Sequence, residues 1–342
     1  MVAPRRLELI EDKMPGGPRA GELLVRMRAV GLCGSDLHWW AEGRIGHTRA
    51  AYPQVLGHEP VGEVVETGPG VTRFKPGDLV GIEPSLTCGH CEHCIAGRHN
   101  LCRVSRFMGG PEAHGFLRDY AVIPQHNADP VPAGLTIHQA TLMEPVAVWV
   151  HVFELSPVRI GDTVAVLGSG PIGALGVAMA KQAGAQLIFA CDKVPHRVAL
   201  AKTMGAGVAL NLNADDFLDA VMQQTRGRGV DIVFDAAGSP DTIHLGLQCA
   251  RTGGRFTLIG LPAPLNFQVD IHTAMAKELT LQMIKRSNHK GRAAGALLAS
   301  GRIPTSLITH ALPLEQAQRG FEIVHNYEDG VGKLLFDFDL KA

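Results

Sequence analysis

Cys88, Cys91, Cys94 and Cys102 stand in a C-x2-C-x2-C-x7-C run. Four thiolates at that spacing can close a tetrahedron around Zn2+, so this loop is expected to be a structural zinc lobe. His90, His93 and His99 in the same loop are then surplus to the shell and expected in solvent. A second set of metal-ligating types is dispersed: Cys33, the Gly57-His58-Glu59 step, and Glu144 within Met143-Glu144-Pro145. A catalytic zinc takes three protein ligands and keeps one position open for water or substrate. Cys33 and His58 are the natural first two. Glu59 and Glu144 both qualify for the third, and spacing leaves open which ligates directly and which acts through water. Asp36 suits the far N–H of His58, where it would fix the tautomer and raise its basicity.

A different chemistry is signalled by Gly168, Gly170 and Gly173. The first glycine permits a tight turn, the second lets the backbone approach a pyrophosphate, and the third lets helix and strand pack closely. The helix that follows offers free N–H groups to phosphates, and Pro171 suits its first turn. Ile172 completes this stretch and is counted with it as a cofactor contact. Asp192 ends the next strand, about 20 residues on, where a carboxylate accepts from both ribose hydroxyls and repels a 2′-phosphate, favouring NAD over NADP. Capping of the helix that opens near Pro195 is a second reading of Asp192. Arg197 is close by and expected to touch the cofactor, and Arg286 to hydrogen-bond a cofactor phosphate or a second substrate hydroxyl. Trp39, Trp40 and Phe116 are candidates for pocket walls.

Positioning these residues takes two kinds of architecture. Before residue 150, short β-rich runs at 22–29, 62–66 and 78–82 are punctuated by Gly and Pro, as in an irregular, mostly antiparallel domain. From residue 162 strand and helix alternate: strands at 164–167, 187–191, 231–235 and 255–259, with helices between them. Such alternation predicts an α/β domain, a doubly wound parallel sheet. After Lys285 the rhythm is lost, with a short Ala/Leu-rich helix at 293–299 and a last strand at 333–337. The expected domains are 1–148 with 287–342, catalytic and zinc-binding, and 149–286, NAD-binding.

Composition narrows the partners. A chain of 342 residues, 46% hydrophobic, exceeds what one core serves and can fill two. Its 32 basic and 33 acidic residues nearly cancel, and no basic cluster alternates with aromatics, so nucleic acid is not an expected partner. The uncharged stretch 163–180 is broken by five glycines and prolines, unlike a membrane span. The first residues contain no apolar signal segment, and a cytoplasmic location is expected. In that reducing compartment seven cysteines point to metal rather than disulfides, leaving Cys191 and Cys249 outside both metal sets.

Together these segments resemble the medium-chain zinc alcohol dehydrogenases, most closely the sorbitol (polyol) dehydrogenase branch. The resemblance is carried by Gly31-Leu32-Cys33-Gly34-Ser35-Asp36-Leu37-His38, Gly43-Arg44-Ile45-Gly46, Val55-Leu56-Gly57-His58-Glu59, the four-cysteine lobe, Met143-Glu144-Pro145-Val146 and the stretch from Gly168 to Gly173. It implies a GroES-like catalytic domain beside a Rossmann domain, two zinc ions per chain, and a homo-oligomer, tetramer or dimer. The implied reaction is transfer of hydride from a secondary hydroxyl of a polyol or sugar-like alcohol to NAD+, giving a ketone. Glu144 falls where the classical enzymes have cysteine and the polyol branch has glutamate, and Ser35 matches the hydroxyl that relays the substrate proton. Two departures bear on substrate: Trp39 and Ser287 stand where animal sorbitol dehydrogenases carry tyrosines. The same ligand set occurs in threonine dehydrogenase-like members, so an L-threonine 3-dehydrogenase or simple secondary-alcohol dehydrogenase is the alternative.

Overall fold

The computed structural model describes residues 1–341, whose contacts divide into two compact units. The first holds Met1–Val148, Arg286–Gly301 and the chain from Ile308 onward, and the second Trp149–Lys285 with Arg302–Leu307. The sequence pattern keeps everything after residue 287 in the first domain. The structure differs at Arg302–Leu307, where the Arg302 carbonyl accepts from Gln182 Nε2 at 3.0 Å.

The first unit is built on the strand Glu22–Gly31, whose Leu-Leu-Val-x-Met run suits a buried pleat. Along one edge it pairs antiparallel with Glu59–Thr67; along the other it pairs first with Tyr120–Pro124 and then with Lys333–Asp337. Leu79–Ile82, Ala128–Pro130 and Ile308–Leu312 complete a seven-stranded sheet in which only the Ile308–Leu312 pairing is parallel. Val25, Met27 and Val64 pack with Val80, Phe116 and Ile123 in one core, while Trp39, Trp40, Leu56, Phe321 and Phe336 form another. Trp39, Trp40 and Phe116 are thus buried among apolar neighbours in these cores.

Register in this sheet sets the chemistry. Gly31 lies directly opposite Glu59 on one side and Leu335 on the other. A Cβ at Gly31 would overlap the Glu59 carboxylate and lie 3.2 Å from Lys333 Cε. Glycine at that point opens the middle of a sheet to two charged side chains.

The second unit is a six-stranded parallel sheet in the order Val208–Asn211, Leu187–Asp192, Thr163–Leu167, Val230–Asp235, Ala250–Leu258, Thr280–Met283. The chain order along it is 3-2-1-4-5-6, reversing beside Thr163–Leu167, and a ligand crevice forms at the carboxyl ends of the strands where such a reversal occurs. The outermost strands, four residues each, are too short to have stood out in the sequence. Residues 163–180 are a strand and the helix Pro171–Gln182, and among the described residues no helix is long and apolar enough to cross a membrane.

Asp231 ties the start of this sheet together. Its carboxylate accepts from Thr163 N–H (2.9 Å) and Oγ1 (2.8 Å), Arg228 Nη2 (2.6 Å) and Arg251 Nε (2.7 Å). Burial pushes this carboxyl up, but Arg228, Thr163 and Arg251 together hold it far below its ordinary 3.8. A depressed acid stabilises the fold above its unfolded value and loses that contribution as pH falls through the folded one. Asp231→Asn is therefore expected to cost about 2 kcal/mol at neutral pH. Thermal melts should show the gap from the parent chain closing on acidification below pH ~4; a gap independent of pH would contradict this.

Candidate active site

Cys33 leaves the sheet in extended conformation (φ −101°, ψ 155°) and becomes the N-cap of the helix Gly34–Glu42. That helix is closed by a capping box, in which Asp36 Oδ2 accepts the Cys33 N–H at 3.2 Å, and it ends on left-handed Gly43. Asp36 is fully buried, and its other oxygen accepts from Gly57 N–H at 3.0 Å and meets His58 Nδ1 at 3.2 Å. One carboxylate thus caps a helix and orients an imidazole. With Nδ1 engaged, His58 Nε2 faces Ser35 Oγ at 3.3 Å.

The sulfur of Cys33, a ring nitrogen of His58 and a carboxylate oxygen of Glu59 all lie within 4.8 Å of one another. Glu59 Oε1 is buried and accepts no hydrogen bond among the described residues, while Oε2 is ion-paired with Lys333, itself 1% exposed. One thiolate, one imidazole and one carboxylate with a spare buried oxygen fit a zinc ion with three protein ligands. Burial pushes the His58 imidazole down, but Asp36 and Cys33 outweigh it and carry it well above its ordinary value. Burial likewise pushes Asp36 up, and His58 with the Gly57 and Cys33 amides brings it below.

Glu144, at the start of the helix Met143–Leu155, is not among the three converging groups. Burial drives its carboxyl up to about 8, with His58 lowering it and Glu59 and Glu83 raising it further. Between the two carboxylates that spacing left open, the structure brings Glu59 to Cys33 and His58, and buries Glu144 outside that trio.

Sequence reasoning missed three residues here. Lys333 starts the buried strand Lys333–Asp337, and a lone lysine heading an apolar run was the available signal. Phe107 packs on His58 with ring centroids 5.2 Å apart, and the Arg286 guanidinium lies over the Phe107 ring, 4.1 Å from its centroid. Glu83, 8% exposed, accepts from Ser287 Oγ at 2.7 Å. Arg286 thus lies with the first unit's cluster, where burial lowers its affinity for a proton against the charges of Glu112, Glu83 and Glu144.

The lobe cysteines also converge. Cys88 Sγ is 3.9 Å from Cys94 Sγ and 3.6 Å from Cys102 Sγ. These distances bracket the edge of a tetrahedron with Zn–S of 2.3 Å, about 3.8 Å. Backbone amides support the sulfurs: Cys91 N–H donates to Cys88 Sγ at 3.3 Å and Cys88 N–H to Cys102 Sγ at 3.4 Å. Amides of Arg103 and Cys94 bring the Cys91 thiol down to about 6, and burial pushes Cys94 up to about 11, as expected of sulfurs crowded without a cation. His90 is exposed, but His93 and His99 are half-buried. His99 is not a solvated side chain: it stacks edge-on against His289 at 4.7 Å, because the segment that follows Arg286 folds over it.

In the second unit Gly168 is left-handed (φ +85°), and a Cβ on Gly173 would overlap the Gly168 carbonyl, so turn and helix pack through glycine alone. Gly170 is the N-cap of the helix Pro171–Gln182, and Ile172 offers its carbonyl to Trp149 Nε1 at 2.8 Å. Asp192 is 8% exposed; it accepts the Ser169 N–H at 2.8 Å and the Val194 N–H at 2.9 Å. Val194, without side-chain help, is the N-cap of the helix Pro195–Met204, so Asp192 does not cap that helix but braces the glycine turn. The Arg197 guanidinium stands over Gly170, with Nη1 3.5 Å from where a Cβ would be. Cys191 and Cys249 are buried in the sheet core, with burial pushing the Cys249 thiol up to about 12.

Comparison with known proteins agrees with this arrangement. Residues 19–133 match the family described as alcohol dehydrogenase GroES-like domain, and residues 171–300 that described as zinc-binding dehydrogenase. A sorbitol dehydrogenase of Bacillus subtilis is 36% identical over 315 residues, covering 92% of this chain and 89% of that protein. An L-threonine 3-dehydrogenase of Bacillus velezensis is 36% identical over 313 residues, 90% of each chain. Among solved structures, a short chain alcohol dehydrogenase from Escherichia coli CFT073, complexed with NADH, superposes with a TM-score of 0.90 at 28% identity, covering 98% of this chain and 97% of that one.

Proposed function

We propose that this chain, which belongs to the zinc-dependent medium-chain alcohol dehydrogenase family, oxidises a secondary hydroxyl of a polyol or sugar-like alcohol to the ketone with NAD+ as acceptor. The observation that carries the reading is the convergence of Cys33, His58 and Glu59, with one buried Glu59 oxygen left without a partner. In this reading the first unit is catalytic and the second binds the dinucleotide. Zinc, when bound by these three residues, supplies a Lewis acid that lowers the pKa of the substrate hydroxyl. NAD+ supplies the hydride acceptor.

The chain's own residues do the rest. Asp36 holds His58 at Nδ1 and so presents Nε2 for ligation. Lys333 takes one oxygen of Glu59 and leaves the other for the metal. Ser35 Oγ, beside His58 Nε2, is placed to relay the proton that the substrate hydroxyl gives up, passing its own hydroxyl proton on toward solvent as it takes the new one. Arg286 on Phe107 supplies a donor for a second hydroxyl of the substrate, which favours a polyol over a simple alcohol. The lobe thiolates hold a second zinc, which suits a reducing, cytoplasmic setting.

At the glycine turn, Gly168 to Gly173 and the N-terminus of Pro171–Gln182 receive the pyrophosphate, Arg197 adds a cation over Gly170, and Asp192 takes the ribose hydroxyls. Because Asp192 also braces Ser169, Asp192→Gly is expected to raise the KM for NAD by about tenfold or more. The same change should narrow the preference over NADP; steady-state kinetics with both cofactors check it, and an unchanged ratio would remove Asp192 from ribose recognition.

A second reading, an L-threonine 3-dehydrogenase, is favoured by the equal identity of that relative. Screening NAD reduction across polyols, sugar acids, simple secondary alcohols and L-threonine separates them. Turnover confined to L-threonine would replace the polyol reading, and turnover of none would refute both.

A further inference from the structure

We infer that the four-cysteine lobe holds Arg286 in place beside His58 through Asn288, which makes Asn288 a positioning residue and ties affinity for the alcohol to the state of the lobe. The inference rests on Arg286 contacting a second substrate hydroxyl, as proposed above.

Residues 286–289 grip the first unit one after another. The Arg286 guanidinium lies 4.1 Å over Phe107, whose ring packs on His58. Ser287 Oγ donates to Glu83 at 2.7 Å in the buried interior. Asn288 Nδ2 donates to the Gly97 carbonyl at 2.8 Å, and its Oδ1 accepts the His99 N–H at 2.9 Å. His289 stands edge-on to His99. Arg286 (φ +59°) and His289 (φ +53°) are both left-handed without being glycine. Two such residues in a run of four do not hold that shape by themselves; surrounding contacts must impose it.

Ser287 is held by Glu83, and the contacts of Asn288 and His289 belong to the lobe. Gly97 and His99 lie between Cys94 and Cys102, the third and fourth cysteines of the run. Gly97 follows the short helix Glu92–Ile95 that carries Cys94, and His99 opens the turn His99–Leu101 that delivers Cys102. The two backbone groups that Asn288 grips are therefore placed by whatever closes the four sulfurs. If the lobe loosens, Asn288 loses both partners at once, and the left-handed Arg286 two residues away keeps only the Ser287–Glu83 bond between it and the loosened end, so its hold on Phe107 weakens.

Hydrogen exchange on the full chain reads this coupling without a substrate. In Asn288→Ala the amides of 286–290 are expected to exchange about tenfold faster, with the rest of the first unit unchanged. The same segment should accelerate in Cys102→Ser, which takes one sulfur from the lobe and leaves Cys33 untouched. With sorbitol, or the alcohol that outperforms it in the screen, as probe, Asn288→Ala should raise the alcohol KM about fivefold and leave the KM for NAD unchanged. Adding Asn288→Ala to Arg286→Ala should then cost nothing further. Unchanged exchange and unchanged KM in Asn288→Ala would overturn the inference and leave the proposed reaction standing. An unchanged alcohol KM in Arg286→Ala would instead overturn the role of Arg286, with the exchange result unaffected. Should Asn288→Ala not fold, Asn288→Asp, which keeps the acceptor for His99 and loses the donor to Gly97, carries the same test with the same two outcomes.

Discussion

Cys33→Ala is expected to lower kcat/KM for the alcohol by about four orders of magnitude while leaving the protein folded. The size follows from what the thiolate does. Among the described residues it is one of three groups that converge at this point, so its loss leaves His58 and Glu59 without the third. A metal that no longer polarises the hydroxyl leaves the substrate at its aqueous acidity, and Ser35 cannot draw a proton from so weak an acid. Cys33 is only half-buried and carries no core packing, so thermal stability should move little. A variant that kept more than a tenth of the parent's kcat/KM would place the chemistry elsewhere.

The second large effect is expected at Lys333. Burial pushes its ammonium toward the neutral form, but Glu59 first and Cys33 next raise its affinity for a proton above the ordinary value, and its Nζ pairs with Glu59 Oε2 inside an apolar sheet. Removing one partner of such a pair strands the other: Lys333→Met should destabilise the fold by about 3 kcal/mol. The double variant Lys333→Met/Glu59→Gln replaces both charges by neutral groups of similar size and should recover most of that stability. It should not recover activity, because the carboxylate oxygen that Glu59 offers is gone. Melting temperature and kcat/KM, measured on both variants, separate the two roles of Glu59; recovery of activity in the double variant would refute its place among the ligands.

How much of this was legible in the sequence depended on how local each arrangement is. The lobe cysteines lie within one loop and the glycines within one turn, so spacing alone carried their geometry. Cys33, His58 and Asp36 were recognisable because one helix cap and one strand start bring them together. The competition between Glu59 and Glu144 could not be decided that way. What brings Glu59 to Cys33 and His58 is register, since Gly31 pairs with Glu59 and leaves room for its carboxylate, and register is a property of two strands. Lys333 arrives from the far end of the chain by a strand pairing that nothing near residue 59 announces. Asp192 was read as a ribose acceptor or a helix cap; its hold on the Ser169 amide appears only once strand and turn are folded together. Trp39, Trp40 and Phe116, read as candidates for pocket walls, lie buried in the cores, and an aromatic beside a glycine turn looks the same in a core as in a pocket.

The central claim, that Cys33, His58 and Glu59 hold a zinc ion of their own apart from the lobe, is tested most directly by counting metal. Zinc per chain, measured on purified protein of the parent and of Cys33→Ala under identical dialysis, should be about two and about one. Equal zinc in the two proteins would contradict the claim.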